Sequence, residues 1–213
     1  MLVAGVDEAG RGPVIGPMVV SGVLVEDSSI ESLTRMGVTD SKCLTPSQRS
    51  RLFSHIIEVA KKVISLEVPP SEIDDAVCSV GLNELEACKM AEIVNELQPD
   101  VAYLDAADPY PEKFYERVKK YLSCNARIIV EHNADKKYVV VGAASIVAKV
   151  IRDSRMNELK VYGEIGSGYP QDPRTIEFLR CWVREKGCLP PFARKTWKTA
   201  RRILEETFQK KLI

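Results

Sequence analysis

Apolar and polar positions along the chain alternate between two rhythms. Short apolar runs of strand length occur at Met1 to Val6, Met18 to Val25, Val63 to Val68, Val101 to Asp105 and Arg127 to Glu131. The third sets Val63, Ser65 and Glu67 against Ile64, Leu66 and Val68, the alternation of a half-buried strand. Elsewhere apolar residues recur at helical spacing. Leu52, Ile56, Val59, Ala60 and Val63 form a stripe behind Thr45, Pro46 and Gln48, a capping hydroxyl, a first-turn proline and a reciprocal glutamine. Further helices are predicted over Leu82 to Leu97 (stripe Leu85, Cys88, Ala91, Val94), Phe114 to Leu122 behind Pro111, and Ala143 to Leu159 (Ile146, Val147, Val150, Ile151). Two more follow, one opened by Asp172-Pro173 (Ile176, Leu179, Val183) and one from Thr196 to Phe208. Three strands with one helix among them, then alternating strand and helix, predict an α/β fold. Its sheet is mixed and five-stranded, begins as an antiparallel meander and is flanked by helices.

Composition narrows the class. A length of 213 residues fits one α/β domain with a small helical C-terminal extension, and 45% hydrophobic residues can fill its core. No apolar run approaches the roughly 18 residues of a membrane helix, and no basic segment leads into a signal-peptide-like run. The expected compartment is the cytoplasm, or the nucleus in a cell that has one. Cys43, Cys78, Cys88, Cys124, Cys181 and Cys188 are scattered without a C-x-x-C, so no zinc site is expected. They read as buried free thiols, with a Cys181–Cys188 disulfide disfavoured in a reducing compartment. Net charge is zero, which argues against binding nucleic acid by bulk charge. One stretch departs from that balance: Arg194, Lys195, Lys198, Arg201 and Arg202 surround Trp197 with no acid among them. It reads equally as a phosphate-contacting face or a solvated helix face.

The acids carry the chemistry. The first strand runs into Asp7-Glu8 and then a glycine-rich turn, Gly10-Arg11-Gly12-Pro13, with Gly16-Pro17 beyond. The fourth ends on Asp105, and the fifth leads through His132-Asn133-Ala134 to Asp135. Side chains at the carboxyl ends of parallel strands gather in one crevice, where open α/β sheets bind ligands. Carboxylates withdrawn from water are costly unless they hold a cation. All-oxygen ligation suits magnesium or manganese, and glycines beside an arginine suit close approach of an anion. Together they point to metal-dependent chemistry on a phosphate. Adjacent strand residues face opposite ways. Asp7 and Glu8 are therefore expected to share the site only if the strand breaks between them, which Gly10 and Gly12 allow.

Six motifs in order, spanning residues 1 to about 198, resemble one family. They are Asp7-Glu8-Ala9-Gly10-Arg11-Gly12-Pro13 with Gly16-Pro17, Asp40-Ser41-Lys42, Leu104-Asp105, His132-x-Ala134-Asp135, Ala143-Ala144-Ser145-Ile146-x-Ala148-Lys149, and Gly166-Ser167-Gly168-Tyr169-Pro170-x-Asp172-Pro173. The family is type 2 ribonuclease H (ribonuclease HII), in its archaeal branch. The resemblance implies a ribonuclease H-like catalytic domain over 1–160 and a helical region, 161–213, that completes the substrate-binding groove. It implies an endoribonuclease for the RNA strand of RNA/DNA hybrids that also cuts 5′ to single ribonucleotides in duplex DNA, leaving 3′-hydroxyl and 5′-phosphate. The metal-binding catalytic acids implied are Asp7, Glu8, Asp105 and Asp135, with Mg2+ or Mn2+. Gly10, Arg11 and Gly12 correspond to the turn that contacts the ribonucleotide's 2′-hydroxyl and neighbouring phosphates, and Tyr169 to the tyrosine that senses the RNA-to-DNA junction. Lys42, Ser145 and Lys149 are implied substrate contacts.

The chain departs from the family where His-Lys-Ala-Asp becomes His132-Asn133-Ala134-Asp135, losing a cation beside the acids. His132 either moves protons or simply packs or hydrogen-bonds. The C-terminus, Thr207 to Ile213, lacks the Gln-x-x-Leu-x-x-Phe-Phe pattern of sliding-clamp ligands, so no clamp partner is expected and the enzyme is expected to act as a monomer. Bland readings stand beside the sharp ones: Tyr169 as loop packing, Gly10 and Gly12 as a tight turn, Lys149 as a solvated lysine. The rival functions are a junction resolvase of similar fold, a non-catalytic nucleic-acid-binding module and a magnesium-dependent phosphatase. The glycine–arginine–glycine turn with Tyr169 speaks against the first. Four intact acids, which would repel phosphate, speak against the second. The basic C-terminal helix suits a polymer better than the third.

Overall fold

The computed structural model describes residues 1–38 and 44–209. Its strands are β1 (Leu2–Ala9), β2 (Met18–Glu26), β3 (Lys62–Val68), β4 (Val101–Asp105) and β5 (Arg127–Glu131). They form one sheet in the order β3-β2-β1-β4-β5. β1 pairs antiparallel with β2 and parallel with β4, and β4 pairs parallel with β5, so the sheet is mixed as expected. The helices are α1 (Ile30–Arg35), α2 (Pro46–Val59), α3 (Pro70–Cys78), α4 (Leu82–Leu97), α5 (Pro111–Tyr121), α6 (Ala134–Lys137), α7 (Val139–Glu158), α8 (Pro173–Lys186) and α9 (Lys198–Gln209).

The chain forms two compact units. The first takes residues 1–9, 19–67 and 82–151 and contains the sheet. Its core joins Val3, Val23 and Val25 of the strands to Ile56 of α2 and to Val140, Ala144 and Val147 of α7. The second takes residues 10–18, 68–81 and 152 onwards. It packs Val14 and Ile15 against Met156, Leu179, Val183 and Ile203.

Local signals act as their chemistry requires. Thr45 Oγ1 accepts the Gln48 N–H at 3.2 Å while Gln48 Oε1 accepts the Thr45 N–H at 2.8 Å, a reciprocal cap on α2. Thr45→Ala should cost about 1 kcal/mol, and a thermal melt should show a Tm lower by roughly 2–4 °C. Asp172 caps α8 through the Arg174 N–H at 3.0 Å. The helices α1, α3 and α6 escape a periodicity reading because six, nine and four residues hold too few turns to show a stripe. α7 starts at Val139 rather than Ala143; three consecutive valines resemble a strand locally, and packing overrides that preference. The cysteines correct an expectation: Cys78, Cys181 and Cys188 are exposed, although all five described cysteines are free thiols. Among the described residues, no helix is long and apolar enough to cross a membrane.

One close approach sets the geometry of the first unit. A Cβ on Gly5 of β1 would lie 2.2 Å from the Val140 carbonyl carbon and 2.4 Å from the Val141 nitrogen. The α7 backbone therefore rests directly on β1. A glycine inside an apolar strand is the sequence signal for such contact.

Candidate active site

Register brings the acids together. Val6 pairs with Leu104 and Leu104 with Val130, so Asp7 and Asp105 are the next residues on neighbouring parallel strands. The strand does not break after Asp7, contrary to the sequence expectation. β1 continues against β2 through Asp7–Ser21, Glu8–Val20 and Ala9–Val19. The two acids nevertheless meet, because the Asp7 side chain curls along its own strand. Its Oδ1 accepts the Glu8 backbone N–H at 2.8 Å, and the two carboxyl groups lie within hydrogen-bonding reach.

Asp7 is 5% exposed. Burial, reinforced by the Glu8 and Asp105 carboxylates, pushes its carboxyl well above the usual range, while a hydrogen bond from the Ser145 hydroxyl pulls it back. Ser145 is fully buried, and Lys149 Nζ donates to its Oγ at 2.9 Å. Lys149 is thus half-buried and tethered rather than solvated. These residues sit on α7, which the glycine at position 5 admits against β1.

Asp105 Oδ1 accepts the Ala134 N–H at 2.8 Å, linking the end of β4 to the turn that carries Asp135. Asp135 is 3% exposed. Asn133, the departure from the family pattern, has φ 54°, in the left-handed region. Asparagine tolerates this conformation better than most side chains do. His132 Nε2 lies 3.1 Å from the Pro109 carbonyl, so here the ring serves as a hydrogen-bond donor. Asp7, Glu8 and Asp105 meet at the carboxyl ends of β1 and β4, and Asp135 lies on α6 beside Ala134, whose N–H binds Asp105. Among the described residues, however, no three His, Cys, Asp or Glu side chains are already gathered closely enough to hold an ion.

The second unit builds the other candidate element. Gly10 has φ 84°, a conformation that strains any residue with a side chain. A Cβ on Gly12 would lie 3.5 Å from Tyr169 Cε1, so the turn and the tyrosine are neighbours. Tyr169 is 39% exposed, with the Arg152 guanidinium 5.3 Å from its ring centre. Its loop is fixed from several sides. Gly168 N–H donates to Thr175 Oγ1 at 3.0 Å, Ser167 N–H to Asp172 Oδ2 at 2.7 Å, and Arg152 Nη2 to the Ser167 carbonyl at 2.8 Å. Arg174 and the Ser167 N–H hold the Asp172 carboxyl well below the usual carboxylate range. Arg11 is half-buried and Gly12 exposed. Lys42, with its Asp40-Ser41-Lys42 motif, lies outside the described residues.

The predicted basic face needs correction. Lys195, Lys198, Arg201 and Arg202 are exposed, but Arg194 is buried and bonded to carbonyls of the turn, and Trp197 donates to the Gly12 carbonyl. Arg152 and Arg194 are thus structural members of this region that spacing did not single out. Arginines in a basic stretch look alike until the fold buries one of them.

The sequence matches the family model described as Ribonuclease HII over residues 4–200. The chain belongs to the ribonuclease HII family. It is 50% identical to the ribonuclease HII of Pyrococcus horikoshii over 213 residues, covering 99% of this chain and 96% of that protein. The crystal structure of ribonuclease H2 from Pyrococcus horikoshii matches with a TM-score of 0.93 at 48% identity, covering 98% of this chain and 100% of that one. Ribonuclease HII from Archaeoglobus fulgidus, solved in complex with PCNA, matches with a TM-score of 0.85 at 39% identity, covering 93% of this chain and 96% of that one. The fold is therefore the ribonuclease H-like fold of ribonuclease HII, and the chain is an enzyme that hydrolyses RNA in RNA/DNA hybrids.

Proposed function

We propose that this ribonuclease HII cuts on the 5′ side of a ribonucleotide, including a single one embedded in duplex DNA, and leaves a 3′-hydroxyl and a 5′-phosphate. The observation that carries the reading is the like-charged cluster at the carboxyl ends of β1 and β4, where the half-buried Glu8 and Asp105 crowd the buried Asp7 carboxyl. The donor set, four carboxylates and no sulfur, fits Mg2+ or Mn2+. Magnesium takes one or two protein carboxylates and completes its shell with water and substrate phosphate. A divalent ion held by Asp7, Glu8, Asp105 and Asp135 supplies charge neutralisation and Lewis acidity toward the scissile phosphate.

The chain's own residues prepare that site. Ser145 and the Glu8 N–H orient Asp7, the Ala134 N–H orients Asp105, and Lys149 secures Ser145. Because Ser145 is buried, its part in substrate binding runs through Asp7. The Gly10–Gly12 turn follows Glu8 by two residues in the chain. Its backbone and Arg11 take the 2′-hydroxyl and flanking phosphates. Tyr169, beside Gly12, packs on the sugar at the RNA-to-DNA junction. Lys42 and residues 161–213 contribute further contacts to the duplex. The enzyme works as a monomer in the cytoplasm during DNA replication and repair.

A labelled DNA duplex with one ribonucleotide tests this, beside an all-DNA duplex, a long RNA/DNA hybrid and a four-way junction, each with Mg2+, Mn2+ or chelator. The expected result is metal-dependent cleavage 5′ to the ribonucleotide, with the all-DNA duplex and the junction intact. Tyr169→Ala should lower cleavage of the single-ribonucleotide duplex by about 5- to 100-fold, the range for a lost aromatic contact to a nucleotide. Cutting of the long hybrid alone would overturn the role given to the turn and Tyr169.

A further inference from the structure

Arg194 is the largest fully buried side chain of the described residues. Charged residues are seldom buried unless paired, yet its hydrogen-bond partners are all neutral carbonyls. Nη2 donates to the Gly10 carbonyl at 2.5 Å and to that of Gly16 at 3.1 Å. Nη1 donates to the Arg11 carbonyl at 2.7 Å, and Nε to Gly16 at 3.2 Å. Trp197 Nε1 takes the next carbonyl, Gly12, at 3.1 Å, and its ring centre lies 4.9 Å from the guanidinium. Three successive carbonyls of the turn are therefore held from one short segment.

That segment is anchored in turn. The Arg194 N–H donates to the Val14 carbonyl at 2.8 Å. Asp74 of α3 accepts the Lys195 and Thr196 N–H groups at 2.8 and 2.9 Å. Burial and the neighbouring Arg152 pull the Arg194 pKa down to about 10, which leaves it charged at neutral pH. A fixed positive charge thus lies against the carbonyl side of the turn. Carbonyl oxygens aimed at a phosphate would repel it, whereas successive backbone N–H groups and a nearby cation attract it.

We propose that Arg194, assisted by Trp197, is a positioning residue for ribonucleotide recognition. By holding the carbonyls of Gly10, Arg11 and Gly12, it keeps the turn in the one shape that offers its opposite side to the 2′-hydroxyl and phosphates. The proposal rests on the reading of that turn given under Proposed function. A lysine cannot reproduce it, because one ammonium cannot span carbonyls that a planar fork reaches together.

The test compares wild type, Arg194→Lys and Trp197→Phe. It reads steady-state cleavage of a single-ribonucleotide duplex and of a long RNA/DNA hybrid. It also reads binding of ribonucleotide-containing and all-DNA duplexes with Ca2+ replacing the catalytic ion, and thermal melting. Arg194→Lys should lower kcat/KM on the single-ribonucleotide duplex by about 100-fold, the scale of a misplaced substrate. Trp197→Phe, which loses one hydrogen bond, should lower it by about 5-fold. Both should reduce the preference for the ribonucleotide-containing duplex while all-DNA binding stays constant. A loss shared equally by all substrates, tracking Tm, would make Arg194 merely structural and overturn the proposal. If Arg194→Lys does not fold, Trp197→Phe decides by the same ratio. Wild type without ribonucleotide preference would overturn the reading of the turn and this proposal with it, a failure visible in the wild-type arm alone.

Discussion

Asp7→Asn is expected to melt at a higher temperature than wild type without divalent metal, and to lose cleavage by about 1,000-fold or more. The first effect follows from the raised Asp7 pKa, caused by burial and then by Glu8 and Asp105. A carboxyl whose folded pKa exceeds its unfolded value, here 3.8 as reference, binds a proton more readily in the folded state. Folding stability from that group is therefore full below the unfolded pKa and is lost as pH rises towards the folded one. At neutral pH the ionised group is a net cost, which a neutral amide of the same shape removes. The amide oxygen of the variant can still accept from the Ser145 hydroxyl and the Glu8 N–H. The Tm difference between variant and wild type should be smallest near pH 4 and widen as pH rises. Each kcal/mol of relieved repulsion reads as roughly 2–4 °C in a chain of this length.

The second effect follows from what the cluster holds. In the proposed role Asp7 would bind the ion, and removing such a carboxylate withdraws several kcal/mol of charge stabilisation, each ~1.4 kcal/mol being tenfold in rate. Mg2+ or Mn2+ should raise the Tm of wild type and do so far less for Asp7→Asn, which reports the ion without any assay of cleavage. A metal-free Asp7→Asn that melts below wild type would show Asp7 to be structural rather than a strained ligand.

Gly5→Ala is expected to be the most destabilising single methyl addition in the first unit. The new Cβ would meet backbone atoms of Val140 and Val141 at 2.2 to 2.4 Å, and backbone cannot rotate away as a side chain can. Overpacking of a core costs about 1–3 kcal/mol and occasionally more. Separating a helix from a strand along their contact belongs at the upper end, about 3 kcal/mol, or roughly 6–12 °C in Tm. The damage should reach the site, because α7 carries Ser145 and Lys149. Gly187→Ala is the control: φ is 72° but nothing lies within 4 Å, so only the left-handed penalty of about 1–2 kcal/mol applies. Thermal melts of both variants separate steric contact from backbone strain. A Gly5→Ala protein as stable as Gly187→Ala would mean that α7 does not rest on β1 as described.

The residues that were legible in the sequence are those whose signal is local. The cap at Thr45 and Gln48 and the strand ending on Asp105 need only a few neighbours to declare themselves. The family motifs name Asp7, Glu8, Asp105, Asp135 and the Gly10–Gly12 turn by order and spacing. The short helices α1, α3 and α6, the valine-rich start of α7 and the exposure of three cysteines were not legible. Each depends on contacts with residues distant in the chain.

The amino-acid sequence by itself determined the family and the mixed α/β order and singled out the four acids as candidates, because motif spacing and hydrophobic period survive without coordinates. Only the tertiary structure decided how Asp7 and Glu8 meet on an unbroken strand, that Ser145 faces Asp7, and that Arg194 lies buried against the carbonyls of Gly10 and Arg11. The physical reason is common to all three. A side chain's charge and shape are written in its own residue, but its burial and its hydrogen-bond partners belong to residues up to 184 positions away.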